Sequence, residues 1–159
     1  MSRPVVVLGL GNLLMGDDGV GVFALAALAA EPRVPAGARL LDGGTLGLSL
    51  LPYVRSAPDL VLIDAVRGEG PPGSLVRLEG DEVPGAVLER LSVHQVGVAD
   101  LVAGARLLGG WPERIVLCGV VPERIELGVE LSPAVRAAVP ALVAMVLGEL
   151  ERLAVEVAA

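Results

Sequence analysis

The feature that most constrains this chain is a set of short apolar runs, each too brief for a core helix and most closed by glycine or an acid. Pro4–Leu10 (PVVVLGL) runs into Gly11, Leu60–Ile63 stops at Asp64, and Ile115–Val121 is a third such run. Apolar runs of this length, rich in Val and Ile, read as strands buried on both faces, the situation of strands in a parallel sheet. Helical stretches separate them. Asp18–Ala30 is apolar on nearly every face and predicts a buried helix. Ala38–Leu41 predicts a strand ending in Asp42-Gly43-Gly44, and Leu46–Val54 a helix whose connection is closed by Pro58. Ser74–Leu78 alternates apolar and polar residues, as an edge strand does. Val96–Leu108 predicts a helix stopped by Gly109-Gly110. Ser132-Pro133 supplies an N-cap and first-position pair for a last helix, along which Val135, Val139, Leu142, Val143, Val146 and Leu150 keep the helical period. Alternation of this kind predicts an α/β fold: a three-layer α/β/α sandwich with a mostly parallel sheet and helices on both faces. With 159 residues and no repeat or linker, residues 1–159 read as one domain.

Composition removes several classes of function. A net charge of −7 with no basic stripe argues against a nucleic-acid partner. The apolar stretch Ala137–Leu147 is too short to cross a bilayer and contains Pro140, so no membrane association is expected. Met1-Ser2-Arg3 followed by apolar residues resembles a signal peptide only faintly, because no small-residue cleavage site follows; a buried first strand is expected. Cys118 is the one cysteine, so neither an internal disulfide nor a cysteine-rich zinc site can form, and a cytoplasmic location is expected.

In open α/β sheets ligands collect beyond the carboxyl ends of the strands. That rule selects Asn12, Asp17 and Asp18 after the first strand, Asp42 after the second and Asp64 after the third, with His94 in a loop ahead of a helix. Two or three carboxylates and one imidazole suit a divalent first-row metal with positions left open. Each residue also has a plain structural role. Asp18 is placed to favour a helix start, Asp64 to hold a turn, and Asp42-Gly43-Gly44 to form one. Cys118, amid Val, Leu and Ile, reads as an inert buried thiol, and Arg124 and Glu126 as solvated. A dinucleotide-binding reading of Gly9-x-Gly11 fails because position 14 is Leu, and because Asp17 and Asp18 would repel a pyrophosphate.

Five blocks, in order, carry a resemblance. Gly11-Asn12-Leu13-Leu14-Met15-Gly16-Asp17-Asp18-Gly19-Val20-Gly21 looks like the opening motif of the hydrogenase maturation proteases. Asp42-Gly43-Gly44-Thr45, Leu62-Ile63-Asp64-Ala65, Ser92-Val93-His94-Gln95-Val96-Gly97 and Gly119-Val120-Val121-Pro122-Glu123 follow it. The resemblance implies a twisted five-stranded sheet and an endopeptidase that trims the C-terminus of a nickel-containing hydrogenase large-subunit precursor. It implies a metal-recognition triad at Asp18, Asp64 and His94, where some members carry Glu at the position of Asp18. Asp17 matches a frequent acid of the motif, and Asp42 is expected to support the site's loops without binding the ion. Nickel would arrive with the substrate, although other divalent metals could occupy the same donors. Asp18 and Asp64 are the candidate catalytic groups, as general base for a water or as ligands to a metal that activates it. A noncatalytic nickel carrier or sensor using the same triad is the competing expectation.

Overall fold

The computed structural model describes residues 4–44, 47–83 and 104–158. Its sheet has five strands: β1 (Val5–Leu10), β2 (Ala38–Gly44), β3 (Asp59–Ala65), β4 (Leu75–Glu79) and β5 (Arg114–Val120), in spatial order β2-β1-β3-β5-β4. β1, β2, β3 and β5 run parallel, and β4 closes one edge antiparallel to β5. β1 and β3 are buried along their whole length, as the apolar runs require. The alternating pattern of β4 is half-exposed, which fits its place at the edge.

Strand side chains alternate between two cores. Val5, Val7, Val61, Ile63, Val116 and Cys118 face α1 (Val20–Ala29) and the last helix, α3 (Pro133–Ala158). Val6, Leu8, Leu60, Leu62, Ile115 and Leu117 face the other side, where α2 (Leu51–Ser56) contributes Val54 and the helical residues 104–107 contribute Ala105. Helices thus cover both faces, as expected.

Several boundaries differ from those read in the sequence. The predicted helix at Asp18 is a 3-10 turn over Gly16–Gly19, and α1 begins only at Val20. The reason lies in long-range bonds: the amides of Gly16 and Asp17 donate to the carbonyls of Gly128 and Arg124. β2 runs on through Asp42-Gly43-Gly44 because β1 supplies a partner there after a register shift at Gly9/Leu10. The predicted helix Leu46–Val54 starts as a 3-10 turn, Gly47–Leu50, before α2. Only the end of the predicted helix Val96–Leu108 is described; it stops at the foreseen glycines, with the amides of Gly109 and Gly110 bonded to the carbonyls of Arg106 and Ala105. α3 spans 26 residues and continues through Pro140, whose side chain is exposed. The helix is long and apolar enough to cross a membrane by length and composition, which the stretch Ala137–Leu147 did not suggest. Its inner face is fully committed to the core through Val135, Leu142, Val146 and Leu150.

Close approach of α1 to the sheet places its first turn. A Cβ on Gly21 would lie 2.2 Å from the carbonyl oxygen of Ile63 and 2.4 Å from that of Leu10. Only hydrogen at this position lets the start of α1 rest on the last residues of β1 and β3. The 3-10 turn ahead of it is thereby seated against β3.

Candidate functional site

Asp17, Asp18 and Asp64 are the chemistry-bearing residues at the carboxyl edge of the sheet, and all three are buried, at 0%, 1% and 3% exposure. Ionisable side chains are almost never buried to this degree unless they are paired, hydrogen-bonded or functional. Asp64 lies in the last turn of ladder between β3 and β5, opposite Gly119, and its Oδ1 accepts from the amide of Ala65 at 2.8 Å. Asp18 is held from the loop that leaves β1. Its Oδ2 accepts from the amide of Asn12 at 2.9 Å, and the Asn12 side chain in turn accepts from the amide of Leu14 at 2.9 Å. Gly11 makes this fold-back possible: its φ is +117°, and a Cβ there would sit 1.7 Å from the carbonyl oxygen of Asp18.

Asp17 has a different task. Its Oδ2 accepts from the amides of Glu123 and Arg124 at 2.8 and 2.9 Å and from the Ser132 hydroxyl at 2.8 Å; Oδ1 accepts from the Ser132 amide at 2.7 Å. Burial pushes this carboxyl's pKa up, but the hydrogen bonds from Arg124, Ser132 and Glu123 outweigh it, and the group is held below the ordinary carboxylate value. Asp17 is a clamp that fastens the loop after β5 to the turn carrying Asp18. Neither composition nor spacing revealed this, since the partners lie more than a hundred residues away; the one signal was the adjacency of two acids at a buried turn. Ser132 still precedes the helix as foreseen, its carbonyl accepting from the Arg136 amide, while its hydroxyl donates to Asp17.

The other candidates divide. His94 lies outside the described residues. Among the described residues no group of three His, Cys, Asp or Glu side chains is gathered to hold a metal. Asp42 is exposed on β2, while Gly43 beside it is buried, where a Cβ would meet Leu10 and Leu50. Cys118 is fully buried, and desolvation pushes its thiol up to about 12, so it is no nucleophile at neutral pH. Arg124 and Glu126 are exposed, as read from the sequence, although the backbone of Arg124 bonds Asp17 in both directions. Carboxylate oxygens such as those of Asp18, on the 3-10 turn, and Asp64, near the end of β3, are donors of the kind a divalent cation takes.

A mostly parallel sheet with buried acids at its carboxyl edge defines an α/β protein of the kind whose ligands collect beyond that edge. Comparison with known proteins specifies the family. Residues 24–149 match the family model described as hydrogenase maturation protease. Over 155 residues the chain is 41% identical to the hydrogenase expression/formation protein HupD of Rhodobacter capsulatus, covering 96% of this chain and 74% of that protein. It is 35% identical over 153 residues to the hydrogenase 2 maturation protease of Escherichia coli K12, covering 96% and 93%. Among solved structures, the hydrogenase maturating endopeptidase HybD of E. coli superposes with a TM-score of 0.87 at 34% identity, covering 94% of this chain and 93% of that one. The [NiFe] hydrogenase maturation protease HybD of Thermococcus kodakarensis does so at 0.70 and 32%, covering 96% and 99%. The chain belongs to the hydrogenase maturation protease family and is an endopeptidase.

Proposed function

We propose that this endopeptidase removes the C-terminal extension of a hydrogenase large-subunit precursor in the cytoplasm, and that it reads the nickel already loaded in that precursor. Asp18, Asp64 and His94 would supply the oxygen and nitrogen donors that the substrate's nickel meets. The observation that carries this reading is the burial of Asp18 and Asp64 on one edge, with the 3-10 turn of the first seated against the strand of the second. Docking the loaded metal against these donors would bring the nearby peptide bond into fixed register, which converts recognition into positioning. The proton of the attacking water then falls to Asp18 or Asp64. Asp17 is a poor base, because four hydrogen bonds already occupy its oxygens and hold its pKa down.

The test is incubation of the purified enzyme with nickel-loaded and nickel-free precursor, with the released peptide read by mass spectrometry. Cleavage is expected only of the loaded form. His94→Ala should lower the rate by about 100-fold or more, consistent with loss of a metal donor, and Asp18→Glu should retain more activity than Asp18→Asn. Efficient cleavage of nickel-free precursor would overturn nickel reading. Tight nickel binding with no peptide released from any precursor would favour a carrier instead.

A further inference from the structure

Exposed apolar side chains on a folded monomer are usually scattered; several together on rigid backbone mark a contact surface. Of the large hydrophobic residues exposed among the described residues, Leu13, Leu14, Ile125, Leu127 and Val129 lie on two loops that are bonded to each other. The Gly128 amide donates to the carbonyl of Leu14, and the Gly16 amide to the carbonyl of Gly128, both at 2.9 Å, so Met15 and Gly128 form a parallel bridge. The Asp17 carboxylate locks the same pair of loops at Glu123, Arg124 and Ser132. A cavity of about 280 Å³ opens here, lined by Arg124, Glu126, Leu127, Val129 and Glu130 among others. The surface is held in place despite its exposure, and ordering it on contact carries little further entropy cost.

Two properties select the occupant. The first loop is the one that carries Asp18, with Asn12 bonded to its carboxylate and Leu13 and Leu14 next along the chain. Anything lying across Leu14 and Leu127 is therefore beside the candidate site. The second property is charge. Residues 123–130 hold three exposed acids, Glu123, Glu126 and Glu130, against one arginine, Arg124, in a chain of net charge −7. A second copy of the same acidic, apolar surface is a poor match, because like charges would meet; an apolar segment of net positive charge is a good one.

We infer that the paired loops Leu13–Gly16 and 123–130 form the docking surface for the precursor, taking a segment of it that carries apolar side chains and net positive charge. The inference rests on the proposed function for the identity of the partner. Binding, measured apart from cleavage, keeps the two distinguishable. Titration calorimetry of the nickel-loaded precursor into the enzyme should show Leu14→Gln with Leu127→Gln weakening binding by about tenfold or more, the effect of removing well-placed apolar contacts. Unfolding midpoints should stay unchanged, because Leu14 and Leu127 are 57% and 85% exposed. Leu107, 87% exposed on the helical residues 104–107, is the control: Leu107→Gln should bind as the wild type does. Glu126→Gln with Glu130→Gln should weaken binding at low salt and lose its effect near 1 M salt, where charges beyond about 3 Å are screened. In the cleavage assay the leucine pair should raise KM and leave kcat within about twofold. Wild-type affinity in the leucine pair would overturn the inference, whatever the cleavage assay shows. So would self-association of the wild type that the pair abolishes while precursor binding is kept. Failure of the wild type to cleave a precursor that it binds through this surface would instead count against the proposed function alone.

Discussion

At the amino end of the sheet, Asp59 is gripped by Arg114, whose Nε donates to Oδ1 at 2.6 Å, and near β4 Glu149 takes Arg77 and Arg152 together. At the carboxyl end, Asp17 is gripped by three amides and a hydroxyl, and the described hydrogen bonds to Asp18 and Asp64 also come from amides. For Glu149 and Asp17 these bonds outweigh the burial that would raise the carboxyl pKa, and each is held below its ordinary value. A guanidinium does so by neutralising the charge, whereas amides leave the negative potential in place and only make it tolerable. The first arrangement lies in the wall of the structure; the second lies at the carboxyl edge of the sheet, beyond which ligands collect in open α/β folds.

Two measurements separate these arrangements, and a third is a control for both. The largest effect is expected from Asp17→Asn. Its amide group can face Ser132 or the 123–124 amides only by setting donor against donor, so at least one buried hydrogen bond to a charged group is lost and a repulsion gained. A loss of about 2–4 kcal/mol in urea unfolding is expected. A loss below about 0.5 kcal/mol would mean that the loop is held by something other than Asp17.

Glu149→Gln should cost less, about 1 kcal/mol, because Arg77 is partly exposed and the pair is screened. Burial raises the pKa of Glu149, but the hydrogen bonds from Arg77 and Arg152 prevail and lower it. A depressed folded pKa means that the unfolded chain takes up the proton first. The contribution of Glu149 is therefore complete above the ordinary glutamate pKa of about 4.3 and fades as pH falls through its own lower value. Wild type and Glu149→Gln should differ in urea midpoint at neutral pH and converge in acid. Salt should narrow the gap for Glu149→Gln and leave that for Asp17→Asn untouched; equal salt dependence would erase the distinction between the ends.

The smallest effect is a control for both. Cys118 sits on β5 in the core that α1 and α3 cover, its thiol pushed up by burial, so a thiol reagent at about pH 8 should label it only at the rate of global unfolding. Rapid labelling of the native protein would show that the core behind both ends opens locally.

Much of this architecture is legible in the residues. The Val-rich runs announced β1, β3 and β5 because parallel strands need no polar face, and the apolar positions from Val135 to Leu150 announced α3 because one helical face had to meet the sheet. The strand ends of such a sheet put Asp18 and Asp64 on a short list with Asn12, Asp17 and Asp42, and the family resemblance then picked them from it. What stayed hidden depends on partners remote in sequence. The start of α1 was misplaced because hydrogen bonds to Arg124 and Gly128 tighten Gly16–Gly19 into a 3-10 turn. β2 was cut short because its continuation through Gly44 is set by a shift in β1, not by its own residues. The clamp role of Asp17 has no local sign, because its partners Glu123, Arg124 and Ser132 lie more than a hundred residues away.

The separation that hid the clamp also orders events in time. Asp17 lies in the first eighth of the chain and Ser132 in the last fifth, so the hydrogen bonds joining them close a loop of 115 residues. Contacts this distant form late, since the entropy of so large a loop must be met before they return anything. On a ribosome, β1, β2 and β3 can emerge and pair while the turn holding Asp18 still lacks its fastening. The carboxyl edge of the sheet becomes whole only when the chain as far as Ser132 has folded back, so a chain still being made carries Asp17 and Asp18 without the bonds that fasten their turn.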